Sequence, residues 1–198
     1  MSKVIGLTGG IACGKSAVSL RLAQKGAIIV DADQIARNIL APNSIGLQKV
    51  VERWGGQLLE VNGQLNRAQL GAIVFADPKE REALESITHP LIAAESQSQI
   101  EQAKTAKAPL IVYDAALLIE AGRAEQFRPL VVVTTSTEIQ IQRIMARDQL
   151  SADEALARMH AQLPLKDKEN LADFIIYNDG DWQKLEQQVD ELWNRYAE

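Results

Sequence analysis

The apolar segment Val4-Ile5-Gly6-Leu7-Thr8 runs without a break into Gly9-Gly10-Ile11-Ala12-Cys13-Gly14-Lys15-Ser16. A G-x-x-x-x-G-K-[ST] run needs a strand to feed it and a helix to leave it. The helix N-terminus supplies unpaired backbone N–H groups and the positive end of a dipole. Val4 to Thr8 reads as a short buried strand. Residues 16–25 read as a helix, with Val18 and Leu22 one turn apart and Gly26 as the stop. The two required glycines let the backbone curl around a phosphate, Lys15 reaches the β- and γ-phosphates, and Ser16 offers its hydroxyl to Mg²⁺. Gly9, Gly10, Ile11, Ala12, Cys13, Gly14, Lys15, Ser16 and Ala17 are therefore the expected cradle for a nucleoside triphosphate.

Four more runs look like strands: Ala27 to Val30, Leu110 to Tyr113, Leu130 to Thr134 and Phe174 to Tyr177. Each is short, continuously apolar and rich in Val or Ile, as strands covered on both faces are. Helical segments separate them, which predicts a parallel, doubly wound α/β sheet. Ligands of such sheets bind beyond the carboxyl ends of the strands, where Asp31, Asp33 and Asp114 fall. The stretch 34–108 exceeds what a crossover needs and is expected to form a substrate-side cap. It holds helical stretches at Ser44–Trp54 and Arg67–Phe75, an Asn62-Gly63 turn, and a helix start at Asp77-Pro78 leading toward Thr88-His89-Pro90.

After the fourth strand, residues 137–148 read as a helix with Arg143 and Arg147 on one face. Ser151-Ala152-Asp153-Glu154 is a capping box opening a helix over Ala155–Gln162. Arg158, Lys166 and Lys168 extend the positive character. A packing helix from about Asp181 to Tyr196 carries Leu185, Val189 and Leu192 on one side.

At 198 residues the chain is long enough for one α/β domain with an insertion. Its net charge of −5 argues against a nucleic-acid-coating protein. No apolar run approaches the ~20 residues of a membrane-spanning helix. The N-terminus passes at once into the first strand, leaving no room for a signal peptide. The single cysteine, Cys13, excludes an internal disulfide framework and fits a reducing compartment. A cytoplasmic protein without membrane or nucleic-acid partners is expected; oligomeric state is left open. A thiol beside Lys15 and a helix N-terminus is expected to have a lowered pKa, with a quiet small residue facing away from the nucleotide as the alternative.

Asp-x-x-Gly is absent, and no Asn-x-x-Asp carries Lys after the Asn, which excludes a guanine-nucleotide switch. A small-molecule kinase needs a carboxylate for the acceptor hydroxyl, Mg²⁺ on the phosphates and cations that close over the transferring group. Asp31-Ala32-Asp33 supplies carboxylates at the end of the second strand, beside the phosphate-loop strand. On an extended segment both face one way. Asp33 is the preferred base and Asp31 the alternative; each could instead cap a helix over Gln34–Leu40. Arg143 and Arg147 are the candidate closing cations, with surface ion pairs as their plain alternative. Asp114 ends an apolar run where it could hold Mg²⁺ through water, or act as a structural cap.

Several blocks taken together resemble the dephospho-CoA kinase family. They are Gly6-Leu7-Thr8-Gly9-Gly10-Ile11 with Gly14-Lys15-Ser16, Asp31-Ala32-Asp33-Gln34-Ile35-Ala36-Arg37, and His89-Pro90-Leu91-Ile92. Asp114 with Leu117-Leu118 and Glu120 follows, then Gln140, Arg143 and Arg147, then Gln162 with Lys166. Ala172-Asp173, Ile176, Asn178 and Gly180 complete the set. The resemblance implies ATP- and Mg²⁺-dependent phosphorylation of the ribose 3′-hydroxyl of dephospho-CoA, giving coenzyme A. It implies a P-loop kinase with a five-stranded parallel sheet in the order 2-3-1-4-5 flanked by helices. The core would be about 1–33, 108–136 and 172–198, with a helical CoA-side insertion at about 34–107 and a lid at about 137–171. Under it Asp33 is the catalytic base and Lys15, Arg143 and Arg147 act on the phosphates. Asn178 and Gly180 border the adenine, while Thr8, Arg37, His89, Leu117 and Leu118 lie on the acceptor side. Two positions depart from the family pattern. Ala12-Cys13 replaces Gly-Ser, a weaker fit at Ala12 if the loop needs φ > 0 there. Ala116 replaces Pro in an Asp-x-Pro-Leu-Leu run.

Overall fold

A computed structural model describes residues 2–197. In chain order the elements are β1 (Lys3–Gly9), α1 (Lys15–Gln24), β2 (Ile28–Asp31), α2 (Ala32–Asn38), α3 (Ile45–Trp54), α4 (Arg67–Ala76), α5 (Pro78–Thr105), β3 (Leu110–Asp114), β4 (Leu130–Thr134), α6 (Thr137–Asp148), α7 (Ala152–His160), α8 (Leu165–Leu171), β5 (Phe174–Tyr177) and α9 (Trp182–Tyr196). Every expected strand is present, and all neighbours in the sheet run parallel in the order β2-β3-β1-β4-β5. β3 therefore separates β2 from β1, correcting the placement of Asp31 beside the phosphate-loop strand.

The chain divides into two compact units. One is made of the residues up to Asp31 together with those from Ile100 onward; the other is Ala32–Gln99. In the first, Ile5, Leu7, Val112, Val131, Val133 and Ile176 of the sheet pack with Val18 and Leu22 of α1 and Leu185, Val189 and Leu192 of α9. Each such buried aliphatic side chain contributes about 1.5–3 kcal/mol over leaving it in water. Gly26, at φ 108°, ends α1 as the sequence implies.

In the second unit, Leu40, Leu47, Val50, Leu58, Leu65 and Leu70 form a separate core. Ser44 caps α3 by accepting from the Leu47 N–H at 3.1 Å, and Asn66 caps α4 in the same way. This unit spans Ala32–Gln99 where 34–107 was expected, and its C-terminal limit falls inside α5. α5 passes straight through Pro90, so His89 is an exposed mid-helix residue rather than a boundary.

Candidate active site

The end of β1 sets the site. A Cβ on Gly9 would fall 2.6 Å from the Val133 carbonyl oxygen, and one on Gly10 within 3.0 Å of Leu165, Gln140 and Cys13. At Gly9 the obstacle is backbone and only glycine fits; at Gly10 it is the ends of three side chains, which would have to shift. The chain then turns through Ala12 (φ 59°) and Gly14 (φ 87°), both left-handed, closed by the Cys13 N–H donating to Gly10 O at 3.2 Å. The suspicion about Ala12 is borne out: it holds a left-handed backbone, a conformation that costs a non-glycine residue on the order of 1 kcal/mol.

Side chains from beyond the fourth strand pin the loop's carbonyls. Lys168 Nζ donates to Gly9 O (3.3 Å), Gln140 Nε2 to Ile11 O (2.7 Å), Arg143 Nη1 to Ala12 O (3.3 Å) and Asn178 Nδ2 to Cys13 O (2.8 Å). A trans peptide sets C=O and N–H antiparallel, so pinning a carbonyl aims the next N–H the opposite way. Gln162 Oε1 accepts the Ile11 N–H at 2.8 Å, which takes Ile11 out of the set offering N–H groups to phosphate.

Lys15, first residue of α1, pairs with Oδ1 of Asp114, and the Ser19 hydroxyl donates to Oδ2. Asp114 is buried at the end of β3, opposite Asp31 of β2 in the register. Burial pushes its carboxyl above the ordinary aspartate value; the Lys15 charge and hydrogen bond and the Ser19 hydrogen bond pull it back in part. Ser16 is exposed next to this pair. Mg²⁺ keeps most of its waters and takes one or two protein oxygens plus phosphate. The Ser16 side chain is exposed and open to such a role, whereas both oxygens of Asp114 already have partners in Lys15 and Ser19, so any part it takes would be through water. Among the described residues, no group of three or more His, Cys, Asp or Glu could hold a metal on its own.

Thr8 is fully buried, and its hydroxyl donates to Ala116 O at 3.1 Å. It braces the turn where the family pattern has Pro. Leu118 is buried against Gly6, so of the Leu117-Leu118 pair only Leu117, 48% exposed, lies open at the surface. Asn178 is likewise buried under the loop, while Gly180 is exposed at φ 100°.

The two arginines separate. Arg143 also donates to Asn178 O at 3.0 Å and belongs to the loop's bracing. Arg147 is exposed and forms a two-point pair with Asp148 (2.8 and 2.9 Å), which also accepts from Arg158 at 2.5 Å. Lys168 corrects the reading of a positive surface: it is fully buried, 2.6 Å from Glu120 Oε1. Cys13 corrects the reactive-thiol expectation. It is fully buried, and burial pushes its thiol up to about 11, against downward pulls from the backbone N–H of Gly10 and from Lys168.

In the second unit, Asp33 is half-buried in the first turn of α2, not on an extended segment; the helix begins at Ala32 rather than Gln34. Arg37 is exposed and donates to the Gln34 side chain at 3.0 Å. The resemblance marked Gln140, Gln162 and Glu120 without a role. A signal lay in α6, where Gln140 and Ile144 are both buried four residues apart. A polar side chain on a helix's buried face needs a polar partner.

Residues 3–184 match the family model described as dephospho-CoA kinase. The chain is similar to dephospho-CoA kinases of Carboxydothermus hydrogenoformans (44% identical over 186 residues, 94% of this chain and 90% of that one) and Geobacter sulfurreducens (41% over 190 residues, 96% of each). Among solved structures it is similar to dephospho-CoA kinase from Campylobacter jejuni, with a TM-score of 0.74 and 31% identity, covering 100% of this chain and 98% of that one.

Proposed function

The chain belongs to the dephospho-CoA kinase family, and from that premise we propose how it transfers the γ-phosphoryl group of ATP to the ribose 3′-hydroxyl of dephospho-CoA, giving coenzyme A and ADP. The observation that carries this reading is the Lys15–Asp114 pair beside a loop whose carbonyls are pinned by outside side chains. A lysine stored on a buried carboxylate is in place to move to incoming β- and γ-phosphates. Backbone N–H groups of the loop and the start of α1 hold the same phosphates.

Asp33 takes the proton of the 3′-hydroxyl, the freed oxygen bonds to the γ-phosphorus, and the bond to the ADP oxygen breaks. Arg143, already on the loop, and Arg147, leaving Asp148, spread the charge that builds on the transferring group. Ser16 and Asp114 would hold Mg²⁺, which neutralises phosphate charge when bound. Arg37, His89 and the exposed Leu117 serve the acceptor, and the Asn178–Gly180 turn borders the adenine. We place the reaction in the cytoplasm on the single cysteine, Cys13, which fits a reducing compartment.

A coupled assay with ATP and Mg²⁺ tests the assignment: phosphate should appear on dephospho-CoA and not on AMP, GMP, gluconate or shikimate. Asp33→Asn should keep nucleotide binding and lose roughly 10²–10⁴-fold in transfer. Near-normal transfer by that variant would remove Asp33 from the role of base.

A further inference from the structure

Lys168 is fully buried, yet the positive charge it carries takes no part in the transfer described above. Its ammonium has two partners, Glu120 Oε1 at 2.6 Å and the backbone carbonyl of Gly9 at 3.3 Å. Glu120 keeps 23% of its side-chain exposure, and an ion pair open to water on one side contributes only modestly to stability while the ammonium still bears the cost of burial. The pair by itself therefore does not account for a lysine at this position. Gly9 is the last residue of β1, and the Gly9–Gly10 peptide is where the strand becomes the phosphate loop. Neither glycine carries a side chain that could wedge this peptide in place, and at Gly9 a Cβ would meet the Val133 carbonyl oxygen. Its orientation must come from hydrogen bonds.

We propose that Lys168 is a positioning residue for ATP binding: it anchors the Gly9–Gly10 peptide, with Glu120 as the counter-ion that lets an ammonium reside there. The proposal rests on the nucleotide reading of the loop. Glu120 is itself fixed by the Leu163 N–H, which donates to its Oε1 at 3.2 Å. Gln162, the residue before, accepts the Ile11 N–H. The segment 162–168 thus grips the loop at both Gly9 and Ile11. Without the ammonium the Gly9 carbonyl loses its side-chain partner; the strand pairing of Gly9 with Val133 stays, but the turn that closes on Gly10 O starts from a less firmly held peptide.

The test measures Mg·ATP binding by calorimetry and steady-state constants for both substrates, in wild type, Lys168→Met and Lys168→Met/Glu120→Gln. Lys168→Met should weaken ATP binding roughly 10- to 100-fold, the scale of losing a group that orients a ligand's contacts. The KM for dephospho-CoA should stay within about twofold. Lys168→Met alone leaves the partly exposed Glu120 without its counter-ion, which lowers stability by a route separate from the loop. The double variant removes that charge and keeps an acceptor for the Leu163 N–H. Recovered thermal stability with ATP binding still impaired supports the proposal. Recovery of both, or normal ATP binding by either variant, overturns it and leaves Lys168 as a charge partner only. Wild-type turnover on dephospho-CoA reads the functional assignment separately.

Discussion

Cys13 shows how burial overrides neighbourhood. A lysine two residues on and a helix N-terminus both favour a thiolate. The chain, however, turns this side chain into the core that holds Val18 and Ile176, and Lys15 spends its charge on Asp114. Desolvation is the larger effect and the thiol rises to about 11. Native protein at pH 8 should therefore react slowly with iodoacetamide, with or without Mg·ATP, and rapidly once unfolded in urea. Fast native labelling would contradict the burial. Between about pH 9 and 11 the folded chain keeps a proton that the unfolded chain releases, so stability falls as pH rises through that window. Cys13→Ala should remove this part of the slope in urea-melt midpoints.

At the scale of elements, β5 depends on one carboxylate. Asp173 precedes it, donates its own N–H to Leu130 O at 2.8 Å, and accepts from the Leu130 N–H at 2.7 Å. Arg128 donates to the same oxygen at 2.8 Å. The Leu130 N–H first, and Arg128 second, hold the carboxyl below the ordinary aspartate range. Asp173→Asn should cost about 1 kcal/mol at neutral pH, the value of a charge-assisted hydrogen bond discounted for partial exposure. That lowers Tm by roughly 2–4 °C for a chain this size. The advantage of wild type is present above about pH 4 and disappears as pH falls through the lower folded value. A Tm difference that persists at pH 2 would point to packing instead.

At the scale of the molecule, the stretch 137–171 expected to act as a lid does not present itself as one block. Gln140 and Arg143 in α6, Gln162, and Lys168 in α8 all bond to the phosphate loop. Between Arg147 and Ala161 the ties are weaker: the exposed Arg158–Asp148 pair and the packing of α7 on α6. Exposed pairs contribute about 0–1 kcal/mol. We expect the moving part to be the C-terminal end of α6 with α7. Hydrogen exchange should be faster in Ala152–His160 than in 137–144, with Mg·ATP and acceptor slowing it. Uniform protection across 137–171 would restore the whole-block lid.

The sequence by itself determined the strands, the phosphate loop and the family. Each strand is an unbroken apolar run, and a loop of fixed glycine spacing leaves its signature within a few residues. Ala12, which stands where the family pattern has Gly, was the position marked for a left-handed backbone, and it has one. What only the tertiary structure decided was the fate of polar side chains distant in sequence. Lys168 and Lys166 look alike on paper, yet one is fully buried against Gly9 and the other is exposed. Thr8 and Leu118, named for the acceptor side, lie buried in the protein's interior, and Asp33 sits in the first turn of a helix rather than on an extended segment. The reason is physical: local propensity acts over neighbours along the chain. Whether a charge or hydroxyl meets water or a carbonyl more than a hundred residues away depends on where the packed sheet and helices bring them together.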